Sequence, residues 1–163
     1  MPFRPSCCGC DPCCGGSKCG CNDKHKKHKE NSSYLKFSGV VPVLLASQTT
    51  YLGDAGPVIL GASTVISYPV ARRGKLRDLA VNIAPPVLVP AIGLVTVQLF
   101  KNGVAVPDFV VTWVPGETTG LKSVKTDSLK LSRDDFFDLR LTLLNMQTAI
   151  AAIVITATIG VVD

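Results

Sequence analysis

All seven cysteines of this chain lie within its first twenty-one residues, at Cys7, Cys8, Cys10, Cys13, Cys14, Cys19 and Cys21, and none follows. Everything beyond Cys21 must therefore fold on apolar burial and backbone hydrogen bonding alone. The arm itself, MPFRPSCCGCDPCCGGSKCGC, is short and rich in Gly and Pro. A segment of that size encloses no apolar core without crosslinks or metal. The next stretch, NDKHKKHKENSS, is polar throughout and has no apolar periodicity, which marks an exposed linker. The expected organisation is a Cys-rich arm over 1–21, a polar Lys/His linker over 22–33, and one folded domain over 34–163.

Charge is distributed unevenly between these parts. Residues 1–33 carry six basic against three acidic side chains, and the body carries eleven against nine. A nearly neutral body has no electrostatic footprint for nucleic acid. Hydrophobic residues make up 47% and charged ones only 18%, which is apolar enough to suggest that a partner covers part of the surface. The linker run Lys24–Lys29 reads first as a solvated spacer, ahead of attraction to an anionic surface or metal binding by His25 and His28. The opening MPFRPSCC lacks the apolar run of a secretory signal peptide. Near the C-terminus, the run Ala149 to Val162 is broken by Thr156, Thr158 and Gly160 and is too short to span a bilayer. The expectation is a chain without a signal peptide and without membrane insertion.

From Tyr34 onward the pattern is β throughout. Segments rich in Val, Ile, Leu and Thr alternate with Gly, Pro, Asn and Asp. Strands are expected near Leu35–Val41, Val58–Val70, Lys75–Ile83, Leu94–Lys101, Val104–Val114, Lys122–Leu131, Phe137–Asn145 and Ala149–Val161. Val95, Val97 and Leu99 alternate with Thr96, Gln98 and Phe100, and Leu76, Asp78, Ala80 and Asn82 form a second alternating row. Such alternation places one face in a core and the other toward water or a neighbour. Lys101-Asn102-Gly103-Val104 is a type I′ hairpin signal, since Asn and Gly both tolerate positive φ. Val114-Pro115-Gly116-Glu117 suits a type II turn. Ser132-Arg133-Asp134-Asp135 suits the cap of one short helical turn.

Pro85, Pro86 and Pro90 donate no ladder bond, so residues 84–90 are expected to form a loop crossing between sheets. Eight antiparallel strands with such crossings predict a two-sheet sandwich of the jelly-roll type. The last strand is apolar on both faces for much of its length, which predicts burial on both sides, the second within this core or against a neighbour.

The body holds neither His nor Cys, so no Ser–His or Cys–His nucleophile pair is available within it. Asp134, Asp135 and Asp138 read as solubilising turn residues, too few for a calcium site. Arg72-Arg73-Gly74-Lys75-Leu76-Arg77 reads as a charged strand edge that discourages mispairing, or else as a surface for an acidic partner. The chain also has no Gly-rich phosphate loop. No catalytic residues and no cofactor are expected, and the protein is read as a non-enzyme.

The cysteine spacing allows three chemistries. CxC and CxxC spacings let Cys7, Cys10, Cys13, Cys19 and Cys21 converge on a structural metal. Alternatively, all seven crosslink neighbouring chains: the odd number leaves at least one thiol to pair outside the chain or stay free, and adjacent cysteines rarely bond each other. The third possibility is a reduced, inert tail.

A short Cys-rich arm, a spacer, and a β body with a Lys101-Asn102-Gly103 hairpin together resemble the endospore appendage fibre subunits of spore-forming Firmicutes. The stretch from Leu94 to Pro107, LVTVQLFKNGVAVP, is also similar to the jelly-roll domains of collagen-like exosporium proteins. The resemblance implies a self-assembling structural subunit of a spore-surface or extracellular fibre. Its jelly rolls would join edge to edge and its arms would crosslink neighbours by disulfides, with Cys7, Cys8, Cys10, Cys13 and Cys14 the foremost linkers. It further implies that the partners are copies of the same chain and a spore-surface anchoring protein. Because the body holds no cysteine to receive a crosslink, arm-to-arm bonding is the simpler expectation. The chain contains no collagen-like Gly-x-y repeat. The rival readings are a closed trimeric binding module of the tumour-necrosis-factor type and a metal-binding Cys-rich tail.

Overall fold

A computed structural model describes residues 32–41, 47–53, 66–146 and 152–162. The arm, most of the linker, and most of the strand expected over Val58–Val70 lie outside the described residues. Ten strands appear in the described part: β1 (Ser32–Val41), β2 (Gln48–Tyr51), β3 (Tyr68–Pro69), β4 (Gly74–Ala84), β5 (Leu94–Lys101), β6 (Val104–Trp113), β7 (Leu121–Val124), β8 (Leu129–Leu131), β9 (Phe136–Leu144) and β10 (Ile153–Val162). They form two antiparallel sheets. The first runs β1-β10-β4 and ends on β7 and β8, which both pair with β4; the second runs β9-β5-β6, with β2 and β3 both on the outer side of β9. Taken as interrupted halves, β2/β3 and β7/β8 complete four strands per sheet. The chain crosses between sheets after β1, β3, β4, β6, β8 and β9. That is the expected all-β jelly-roll sandwich.

The alternating rows build the core. Val95, Val97 and Leu99 of β5 meet Leu139, Leu141 and Leu143 of β9 on the inner side of one sheet. Leu79, Val81 and Ile83 of β4 and Ile155, Ala157 and Ile159 of β10 supply the other. Each of these twelve side chains is buried. They interlock as two facing apolar sheets do. Beside them, Phe37, Tyr68 and Phe137 meet at ring-centroid distances of 5.3 to 6.4 Å across the sheet interface.

One row departs from the simple period. Asp78 has φ 53° and is an extra residue in β4: Leu79 pairs with Ile159, but the next β10 residue, Gly160, pairs with Arg77. A bulge shifts the side-chain phase by one, so Leu76 and Leu79 are both buried and the expected row Leu76, Asp78, Ala80, Asn82 does not share a face. The same bulge interrupts the neighbouring strand. Between β7 and β8 the chain loops out, and Asp78 exchanges bonds with Thr126: its N–H donates to Thr126 Oγ1 at 3.0 Å, and Thr126 N–H donates to Asp78 Oδ1 at 3.4 Å. The single strand expected over Lys122–Leu131 is therefore two. Gly160 fits this turn of the ladder because a Cβ there would stand 3.0 Å from the Arg77 carbonyl oxygen.

Other expectations need correction. Four residues, Gln48–Tyr51, form a strand too short to show periodicity. Ser132–Asp135 makes a turn without helix, because the Asp135 carboxylate turns back to accept the Ser132 N–H at 2.7 Å. Within the single chain, β10 alternates from Ile153 to Ala157, with Val154 45% exposed and Thr156 exposed on the outer side, while Gly160 and Val162 near its end are buried. β4 lies between β10 and β7/β8, so the Arg72–Arg77 cluster does not guard a sheet edge. Asp138 is not a turn residue; it sits within β9 and is 1% exposed.

The turns behave as their residues dictate. Asn102 and Gly103 both take positive φ, at 52° and 80°, as a type I′ hairpin requires. Gly116 takes φ 84° behind Pro115, while the Glu117 N–H donates to the Val114 carbonyl at 3.0 Å. The Pro-rich segment carries the chain from β4 in one sheet to β5 in the other. Its Val87 and Val89 are buried and bonded to Thr119 and Glu117 on the facing turn.

At the opposite end, the hairpin tip is locked to the start of β9. Lys101 Nζ lies 2.8 Å from Asp135 Oδ2, and Asn102 Nδ2 donates to Asp135 Oδ1 at 2.8 Å. The Lys101 contact foremost, then the Ser132 and Asn102 bonds, hold the Asp135 carboxyl down at about 2. A carboxyl depressed in the fold stabilises it above its unfolded pKa, and that contribution fades as pH falls through the folded value. Urea midpoints measured from pH 5 to pH 2 should fall across the window from about 4 to about 2, and Asp135→Asn should flatten that limb. An unchanged slope in the variant would assign acid sensitivity to other carboxylates.

Candidate functional site

The body presents the edges of its two sheets and their outer faces to the surroundings. Among the described residues, no group of three His, Cys, Asp or Glu is placed to hold a metal. Cys7, Cys8, Cys10, Cys13, Cys14, Cys19 and Cys21, with His25 and His28, lie outside the described residues.

The sandwich has four edges, and they differ. Along β6, the edge contains Pro107, which has no N–H to offer, and the Thr112 carbonyl accepts Lys122 Nζ at 2.6 Å. Along β8, the Lys130 carbonyl accepts Lys101 Nζ at 2.9 Å. Proline and lysine on an edge are standard means of discouraging another strand. The β1 edge is different. At Ser38 both backbone groups face away from β10, the N–H donating to Gly53 O at 2.7 Å and the C=O accepting Gly53 N–H at 3.3 Å. By the two-residue period of a strand, Tyr34 and Lys36 direct their N–H and C=O groups to that same edge. No backbone partner takes these groups among the described residues. Among the described residues, the N-terminal half of β1 thus has no strand on the side away from β10.

Beside this edge lies the outer face of the β1-β10-β4-β7 sheet. Register places Ser38 with Thr156, Lys36 with Thr158, Asn82 with Leu121 and Ala80 with Ser123. These are mostly small, uncharged side chains. Tyr34 and Leu121 are exposed at 70% and 78%. The second sheet's outer face carries a different device. Asp138 and Arg140, two apart on β9 and so on one side, pair through Nε–Oδ1 at 2.5 Å and Nη2–Oδ2 at 3.2 Å. The guanidinium is flanked by Phe100 at 3.7 Å and Tyr51 at 5.1 Å to the ring centroids. Its hydrogen bond to Asp138 raises the Arg140 pKa further. Sequence reading passed over this cluster, although the Asp-x-Arg spacing within a strand was a usable sign of a same-face pair.

These features define a cysteine-free jelly-roll body whose β1 edge, among the described residues, is unpaired at Tyr34 and Lys36. No protein-family model, curated protein or solved structure matches the chain.

Proposed function

We propose that this protein is a self-assembling structural subunit of a spore-surface or extracellular fibre, in which jelly-roll bodies join through strand edges and N-terminal arms crosslink neighbours by disulfides. The observation that carries this reading is that, among the described residues, the β1 edge has no backbone partner at Tyr34 and Lys36, whereas Pro107 and lysine side chains occupy positions along the β6 and β8 edges. An incoming strand satisfies such groups without any new side-chain chemistry. A contact between two different edges does not close on itself, so it propagates as a filament. Ten residues separate Cys21 from Ser32. Fully extended, a segment of that length reaches roughly 35 Å, which is far enough to meet the arm of an adjacent subunit. Disulfides there would slow dissociation and confer sensitivity to strong thiol reagents. The resemblance to endospore appendage subunits supports the same reading.

Negative-stain microscopy of the purified protein, with and without strong reductant, tests both halves. Oxidised wild type should form fibres that survive denaturant. The variant with Cys7 to Cys21 all changed to serine should form fibres that dissociate in denaturant. Lys36→Pro removes an edge-facing N–H and leaves the β1–β10 ladder bonds in place, so it should fold yet fail to polymerise. Discrete closed particles in every condition would replace the fibre with a trimeric binding module, and zinc retained by the reduced protein would favour the metal-binding arm.

A further inference from the structure

At the end of the sandwich where β1 begins and β10 finishes, the two sheets do not close on each other. A cavity of about 320 Å³, open to solvent on one side, lies between them among the described residues. Leu35 and Val161 from one sheet, Tyr68 and Phe137 from the other, and Leu76 and Leu131 form its apolar lining. Arg72, Arg73 and Lys75, all exposed, stand along it, and among the described residues no acidic side chain lines it. Arg73 also borders two adjoining depressions, one with Lys75 and Lys130 and the other with Arg133 and Asp134. Among the described residues, Arg73 and Lys75 make no ion pair with a carboxylate.

Folded interiors are close-packed, with few voids larger than a water. An apolar cavity of about 150 Å³ already admits benzene, and binding pockets begin near 300 Å³ with mostly apolar walls and a few placed polar groups. The cavity has this makeup, and among the described residues its charged lining is cationic. We propose that it binds a small amphiphilic anion, a medium-length alkyl chain inserted between the sheets with its carboxylate at Arg73 and Lys75. The linker is a poor occupant, since Lys24, Lys26, Lys27 and Lys29 would meet cations of their own sign. This inference is independent of the fibre reading, because the cavity lies within one chain.

Equilibrium dialysis of the full chain against labelled decanoate tests it, since dialysis reads binding whether or not the protein is polymerised. Binding should saturate at about one decanoate per chain. Octanoate, two methylenes shorter, should bind about fifteenfold more weakly. Arg73→Glu/Lys75→Glu, a surface change that leaves the core intact, should weaken decanoate on the order of tenfold while sparing decanol. Absence of saturable binding, or equal affinity for decanoate and decyltrimethylammonium, would overturn the proposal. Loss of decanol binding in the same variant would also overturn it, by showing that the substitutions disrupt the cavity itself.

Discussion

Arg140→Met should lower the unfolding free energy by about 3 kcal/mol, the scale for stranding one member of a buried ion pair. The Asp138 side chain is 1% exposed, and the Arg140 side chain is 22% exposed. Among the described residues, Arg140 supplies both donors to that carboxylate. Methionine keeps much of the packing volume between Phe100 and Tyr51 but offers no donor, so the carboxylate would remain desolvated and unpaired. The double variant Asp138→Val/Arg140→Met removes both charges and should recover most of the loss, because apolar residues often replace buried pairs at little cost. A urea double-mutant cycle reads the coupling directly. If the two single substitutions simply add, the pair is a surface ornament and the argument from burial fails.

Asn102→Ala should cost roughly 2–3 kcal/mol, from two separable sources. Asn102 holds φ 52°, a conformation that costs an alanine about 1 kcal/mol or more. Its side chain also bridges elements: Nδ2 donates to Asp135 at 2.8 Å, and Oδ1 accepts the Phe136 N–H at 2.9 Å. Removing it leaves the Phe136 N–H without that acceptor at the entrance to β9. Asn102→Gly keeps the backbone freedom and loses only the bonds, so it should fall between wild type and the alanine variant, at about 1–2 kcal/mol. Denaturant midpoints of the three proteins give the partition. Equal loss in the glycine and alanine variants would mean that the bonds alone matter.

Much of the body was legible because its physics is local. Val95, Val97 and Leu99 declare a buried face by their spacing, and β5 runs from Leu94 to Lys101 as expected. Asn102-Gly103 dictates its own turn through the backbone freedom of two residues. The prolines of residues 84–90 exclude a central strand, and the chain changes sheets there. Where the reading failed, the cause was a partner distant in sequence. Gln48–Tyr51 is a strand because β9 offers it a ladder, and four residues carry no period of their own.

Local patterning alone carries the confinement of all seven cysteines to the first twenty-one residues, the charged run that follows them and the β alternation beyond Tyr34, because thiols, charges and two-residue alternation are properties of neighbouring residues. It also determined the sandwich class, through the density of alternating segments and their turn residues. Tertiary structure alone decided the rest. The Asp78 bulge, the burial of Asp138 and the cation-lined depression around Arg73 each depend on which distant strand arrives alongside. Strand order is set by the summed burial of the whole core, a quantity that no local stretch contains.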